Sequence, residues 1–255
     1  MLIDTHSHLQ MSDYETDRDN VISSALESDV DCMINASFDL VSSWQSVKLS
    51  ESYQNLYAAV GIHPHDADML DDDALHALWD MANHPKVIAI GETGLDYYRD
   101  LSPRDVQKAS FEKHIKLALE LDMPIIIHNR DAHDDVLKIL EKHQNSLSGV
   151  MHCFSGDQAF ADKCIQLGLY ISFAGNITYS NASQIREVAA RTPADKFFIE
   201  TDCPYLTPQF RRGKRNEPSY LKATAKKIAE IRHTTFPEIA RMTTDNAKKL
   251  FRISL

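Results

Sequence analysis

Apolar and β-branched residues gather in eight short runs, at 2–5, 31–36, 56–62, 87–91, 124–128, 149–154, 169–174 and 196–201. Runs of this length, bounded by polar or turn-forming residues, predict strands. Between them apolar positions recur at spacings of three and four, over 15–29, 40–53, 73–83, 103–121, 134–144, 158–167 and 182–190, the period of a helix with one buried face. Ser102-Pro103 reads as a cap followed by proline at the first helical position. Two further helical patterns between 218 and 251, split at 234–237, close the last crossover. Strands apolar enough for burial on both faces, each followed by a helix, predict parallel pairing through crossovers. The expected fold is α/β, one (β/α)8 TIM barrel forming a single domain over 1–255.

In such a barrel the C-terminal ends of the strands converge on one mouth, so the residues standing there carry the chemistry. In chain order they are His6 and His8, Ser37, His63 with His65, Glu92, His128, His152, Gly175 and Asp202. His6 and His8, two residues apart on an extended chain, share a side and can chelate one ion. Glu92 follows the apolar run 87–90 with glycines close on either side, and a buried carboxylate needs a cation or several hydrogen bonds. Two more apolar runs end in imidazoles, His128 and His152. Glu200 and Asp202 share strand parity at the end of a third, where two acids repel unless a cation sits nearby. Imidazoles mixed with carboxylates suit Mg, Mn, Zn or Co, and the donors outnumber what one tetrahedral ion can use. Two divalent metal ions are therefore expected, a pair suited to activating water for attack on phosphorus or a carbonyl. The reaction implied is hydrolysis. Cys153 and Cys203 abut these positions but point to the other strand face and read as packing residues; no GxSxG elbow, P-loop or GxGxxG is present.

Composition changes this picture in one respect. With 43% hydrophobic and 25% charged residues the chain matches a folded globular protein with a large core. The formal charge of −10 removes any global basic field, so a polyanionic substrate needs a local attractor. Four cysteines without CxxC spacing, no basic-then-apolar leader at the N-terminus and no run near the ~20 apolar residues of a membrane span predict a cytoplasmic protein away from membranes. No obligate protein partner is indicated.

The motifs Ile3-Asp4-Thr5-His6-Ser7-His8-Leu9, Gly61-Ile62-His63-Pro64, Gly91-Glu92-Thr93-Gly94-Leu95-Asp96-Tyr97-Tyr98, His128-Asn129-Arg130-Asp131-Ala132, His152-Cys153-Phe154-Ser155-Gly156 and Glu200-Thr201-Asp202-Cys203-Pro204-Tyr205-Leu206, with the basic turn 211–218, run nearly end to end. Together they resemble the TatD family of metal-dependent deoxyribonucleases in the amidohydrolase superfamily. The resemblance implies that His6, His8 and Asp202 hold one ion, that His128 and His152 hold the second, and that Glu92 bridges them. It also implies exonuclease action on DNA, and on RNA for some members. The competing class is a small-molecule amidohydrolase or lactonase using the same binuclear site.

Within that frame Asp202 is expected to take the proton of the attacking water as well as to ligate, Glu200 to lie deeper and orient a ligating histidine, and His63 to face the scissile phosphate without binding metal. Arg211, Arg212, Lys214 and Arg215 follow the last strand and either supply the missing attractor or form a solvated cluster. Arg130 either grips a phosphate or pairs with Asp131 or Asp134. Among the aromatics after strand ends, Tyr97, Phe154 and Tyr205 are the candidate platforms for bases, against a packing role for each.

Overall fold

A computed structural model describes residues 1–143 and 146–253. Eight parallel strands pair in chain order: β1 (Leu2–Ser7), β2 (Val30–Ala36), β3 (Leu56–Val60), β4 (Val87–Asp96), β5 (Ile125–Arg130), β6 (Gly149–Met151), β7 (Tyr170–Phe173) and β8 (Phe197–Ile199). Helices α1 (Arg18–Glu27), α2 (Leu40–Ser52), α3 (Asp72–Ala82), α4 (Arg104–Glu120), α5 (His133–Glu141), α6 (Gln158–Gln166) and α7 (Ser183–Arg191) fill the crossovers. The chain is thus a (β/α)8 barrel. Gln144, placed in a helix by its sequence pattern, lies outside the described residues.

Closure depends on backbone hydrogen bonds where the last strand meets the first: Asp202 N donates to His6 O and His8 N to Cys203 O, both at 2.9 Å. The seam therefore lies between residues that the sequence marks as functional. Alternate strand residues, among them Ile3, Ile34, Ala59, Ala89, Ile126, Val150 and Phe198, form the apolar barrel interior, and Phe251 and Ile253 join them from the chain end. The other parity packs outward on the helices. Past the last crossover come α8 (Leu221–Ile231) and α9 (Phe236–Phe251), whose start is fixed by a capping box between Thr235 and Glu238.

Two departures from simple strands position the site. Ser7 lies three positions beyond Asp4 on β1 where Asn35 lies two beyond Met33 on β2, and Thr93 likewise lies three beyond Ile90 on β4 against two from Ile125 to Ile127 on β5. Each extra residue is a bulge that switches the parity of the strand beyond it. Counting by twos from Ile3 or Ala89 would turn His6 and Glu92 outward; after the bulges both face the mouth. Beyond its bulge β4 continues to Asp96, longer than the expected 87–91, and Gly94 permits this because a Cβ there would stand 2.0 Å from the His128 carbonyl oxygen.

His114 of α4 is wholly buried: Nδ1–H donates to Ser110 O (2.8 Å) and Nε2 accepts from Ile62 N (3.0 Å), holding the backbone just before His63. Burial pushes this imidazole down from 6.5 to about 4. As pH falls the unfolded chain binds the proton first, so stability that is complete above 6.5 is lost progressively toward pH 4, by roughly 3 kcal/mol for this group. Urea titrations of His114→Gln and the parent protein check this: the parent should lose stability more steeply between those two pH values. Equal slopes would assign the loss to other groups.

Candidate metal centre

Six side chains from five strand ends meet above the barrel interior. Glu92 occupies the middle, 4% exposed, and its two oxygens face different neighbours. Oε2 lies 3.1 Å from His6 Nε2 and 3.8 Å from His8 Nε2. Oε1 lies 2.8 Å from both His128 Nδ1 and His152 Nε2. Asp202 Oδ1 closes the first group, 3.4 Å from His8 Nε2 and 3.8 Å from His6 Nε2. In three triads the donor atoms all lie within 4.8 Å of one another: His6 with His152 and Asp202; His6 with His8 and Glu92; His63 with Glu92 and His128.

These donors fit divalent cations. His8 donates Nδ1–H to Ala36 O (2.9 Å), so its Nε2 turns a lone pair toward His6 Nε2, only 3.2 Å away. The His6 and His152 rings stack at 4.0 Å, and His128 Nδ1 stands 3.3 Å from His152 Nε2. Nitrogens crowded against the buried Glu92 and the partly buried Asp202 need positive charge among them, from protons or from metal. Burial pushes the Glu92 carboxyl up, but His152, His6 and the hydrogen bond to His128 outweigh it and hold the group well below the usual carboxylate range. Asp202 is lowered in the same way, by His8, His6 and His152 against burial. Burial favours the neutral form of His152 also, yet Glu92 and Glu200 raise it well above the ordinary histidine value.

Glu200 lies beneath, fully buried, with Oε1 accepting from Cys153 N (2.6 Å) and standing 3.4 Å from His152 Nδ1. His63 Nε2 is 3.5 Å from Glu92 Oε1. Its Nδ1 accepts from His65 N (3.1 Å), so in the neutral ring Nε2 holds the proton. Burial and the neighbouring His128 keep His63 well below the ordinary histidine value and hence neutral.

Five of the six donors, all but the fully buried His6, form the floor of a cavity of about 740 Å³. Arg130, with its guanidinium 3.8 Å over the Tyr98 ring, and half-exposed Tyr205 are on its wall. Several residues singled out in the sequence stand elsewhere. Tyr97 packs under Arg104 and donates its hydroxyl to Asp135 (2.8 Å). Phe154 is buried against Phe160. Arg215, placed with the substrate cations by its sequence position, instead forms a paired bridge to Asp17 (2.9 and 2.6 Å), reaches Glu217 (3.2 Å) and covers the Tyr14 ring, bracing the turn after β8. Arg211, Arg212 and Lys214 are exposed beyond the cavity rim, Arg212 over the Tyr179 ring. Arg99, Asp96 and His65 do line the cavity, although only the motif and its neighbours, not a role, were legible for them. For Asp96 and Arg99 the signal that would have found them is the true length of β4.

A family profile described as TatD related DNase matches residues 3–252. The chain belongs to this family. It is 47% identical over the full length of both chains to the uncharacterised metal-dependent hydrolase YabD of Bacillus subtilis. It is 35% identical, across 99% of each chain, to a Salmonella typhimurium protein named 3'-5' ssDNA/RNA exonuclease TatD. Among solved structures, the TatD homologue YJJV of Escherichia coli superposes with a TM-score of 0.94 at 31% identity, covering 99% of this chain and 98% of that one. The TatD-family chain is accordingly a metal-dependent hydrolase, and its buried cluster of histidines and acids suits divalent metal. Among the described residues no helix is long and apolar enough to cross a membrane.

Because the two Glu92 oxygens face separate imidazole groups, Glu92→Ala should retain less divalent metal than the loss of any one histidine. Metal analysis after loading checks this, and parent-like retention in Glu92→Ala would refute the shared carboxylate.

Proposed function

We propose that this TatD-family hydrolase cleaves phosphodiester bonds of nucleic acids at two divalent cations, working from the ends of single-stranded DNA and acting on RNA as well. The ions are of the Mg, Mn, Zn or Co class. His6, His8 and Asp202 would hold one, His128 and His152 the other, and Glu92 both. The observation that carries this reading is the Glu92 carboxylate, with one oxygen at His6 and the other at His128 and His152. The exonuclease name of the Salmonella relative supports the substrate class. We place the activity in one barrel domain over the whole chain and in the cytoplasm, a compartment that the four unpaired cysteines support.

The cations, when bound, lower the cost of the negative charge that develops on the phosphate oxygens. The remaining work falls to side chains. Asp202 accepts the proton of the attacking water: of the four acids that line the cavity, Glu92 is shared, Asp96 has its oxygens already engaged and Asp66 stands outside the histidine cluster, while Glu200 and Asp4 lie beneath, fully buried. Glu200, against His152 Nδ1, orients that ring. His63 directs Nε2–H to the floor, where it donates to an oxygen of the substrate or leaving group. Arg130 contacts phosphate and Tyr205 offers a ring for a base to stack on. Arg211, Arg212 and Lys214 hold phosphates of the strand outside the cavity and offset the repulsion of a chain with net charge −10.

End-labelled single-stranded DNA and RNA, compared with cyclic amides and lactones with and without chelator, test the assignment. Release of nucleotides that chelator abolishes is expected; hydrolysis of only the ring compounds would overturn it. Asp202→Asn keeps an oxygen donor but loses the base, so turnover should fall roughly 10²-fold or more with metal retained. Parent-like turnover in that variant would remove Asp202 from proton transfer. Replacing Arg211, Arg212 and Lys214 together by alanine should flatten the log–log salt dependence of single-strand binding by roughly 0.7 for each phosphate no longer held. A small chromogenic diester, which spans no neighbouring phosphates, should be cleaved nearly as before; an unchanged salt slope would leave the turn solvated and idle.

A further inference from the structure

Asp96 ends β4, is 1% exposed, and has a carboxylate on which four hydrogen bonds meet. Oδ1 accepts from the backbone N–H groups of Tyr98 (3.0 Å) and Arg99 (2.8 Å). Oδ2 lies 3.1 Å from His128 Nε2 and 3.0 Å from His65 Nε2. The residue cannot swing away, because fully buried Gln107 of α4 holds its backbone twice: Oε1 accepts from Asp96 N (2.9 Å) and Nε2 donates to Asp96 O (3.2 Å).

An ionised carboxylate only accepts, so an imidazole nitrogen facing it carries the proton. On His128 that nitrogen is Nε2. The other, Nδ1, faces Glu92 Oε1 at 2.8 Å and His152 Nε2 at 3.3 Å, inside the donor cluster, where a cation held between them would take the place of its proton. We propose that Asp96 is the positioning residue for His128. It fixes both ring and proton so that Nδ1 is the ligating atom, and through Oδ1 it pins the turn that brings Arg99 to the cavity wall. This inference rests on His128 being a ligand.

Asparagine at position 96 breaks the arrangement whichever way its amide turns. With Nδ2 toward the imidazoles, a donor faces His128 Nε2 and drives the proton to Nδ1, where the ligand atom should be. With Nδ2 toward the turn, a donor faces two backbone N–H groups and neither can be satisfied.

The test uses the full chain with nitrogen-15-labelled histidine, loaded with zinc, and reads the state of each ring nitrogen by NMR alongside zinc affinities from chelator competition. In the parent protein His128 should show a proton on Nε2 and a metallated Nδ1. In Asp96→Asn that signature should vanish, and one of the two zinc sites should weaken by about 10–100-fold, the range seen when the support of a ligating histidine is removed, while the other stays occupied. His114, whose proton is fixed on Nδ1 by Ser110, reports whether the variant is folded. An intact His114 signal with an unchanged His128 signature and both affinities preserved would overturn the proposal. So would a parent spectrum with the His128 proton on Nδ1, which decides the matter even if Asp96→Asn does not fold. A parent spectrum with neither His128 nitrogen on zinc would defeat the ligand assignment itself, before any variant is made, and this inference with it.

Discussion

The structure turns on a carboxylate that is buried without a lysine or arginine beside it. Among the described residues Glu92 pairs only with imidazoles: His6, His8, His63, His128 and His152. Desolvating a carboxylate costs several kcal/mol, and neutral imidazoles offset little of it. The charge must come from protons on the histidines or from cations between the donors. Either choice requires rings whose orientation is set independently of Glu92, because a free imidazole would turn its N–H to the carboxylate and close the site with an ordinary hydrogen bond.

Ring orientation explains much of the hydrogen bonding around the centre. His8 is held by the Ala36 carbonyl and His128 by Asp96, while Glu200 stands 3.4 Å from His152, each partner at the nitrogen that points away from the cluster. Asp4 does for the backbone what these partners do for the rings. Fully buried, it accepts from Thr201 N (2.9 Å) and Thr201 Oγ1 (2.5 Å), fixing the residue before Asp202. Burial pushes its carboxyl up to about 7 despite those bonds. Many of the polar groups buried here make contacts with other polar groups that themselves support the cluster.

The mouth of the barrel also separates two tasks that a linear reading merges. Cations close to the last strand in sequence are divided by the fold: Arg215 braces the turn against Asp17, whereas Arg211, Arg212 and Lys214 remain in solvent. The cations on the cavity wall, Arg99 and Arg130, come instead from the ends of β4 and β5. Neither has an ion pair among the described residues, although the chain carries an excess of acids. A local positive wall inside an acidic protein is thus built across neighbouring strands and not by a run of basic residues.

The sequence by itself determined the barrel and the identity of the central donors. Strand and helix periods are local, so eight apolar runs alternating with amphipathic stretches specify the architecture, and His6, His8, Glu92, His128, His152 and Asp202 stand out because each follows such a run. Tertiary structure alone decided which way those donors face. A bulge in β1 and another in β4 reverse the strand parity ahead of His6 and Glu92, and a bulge is defined only against the neighbouring strand's register. The same holds for Asp96, Tyr97, Phe154 and Arg215, whose partners His128, Asp135, Phe160 and Asp17 lie 32, 38, 6 and 198 positions away. Whether a polar or aromatic side chain supports, binds or merely packs depends on partners that such separations hide until the barrel closes.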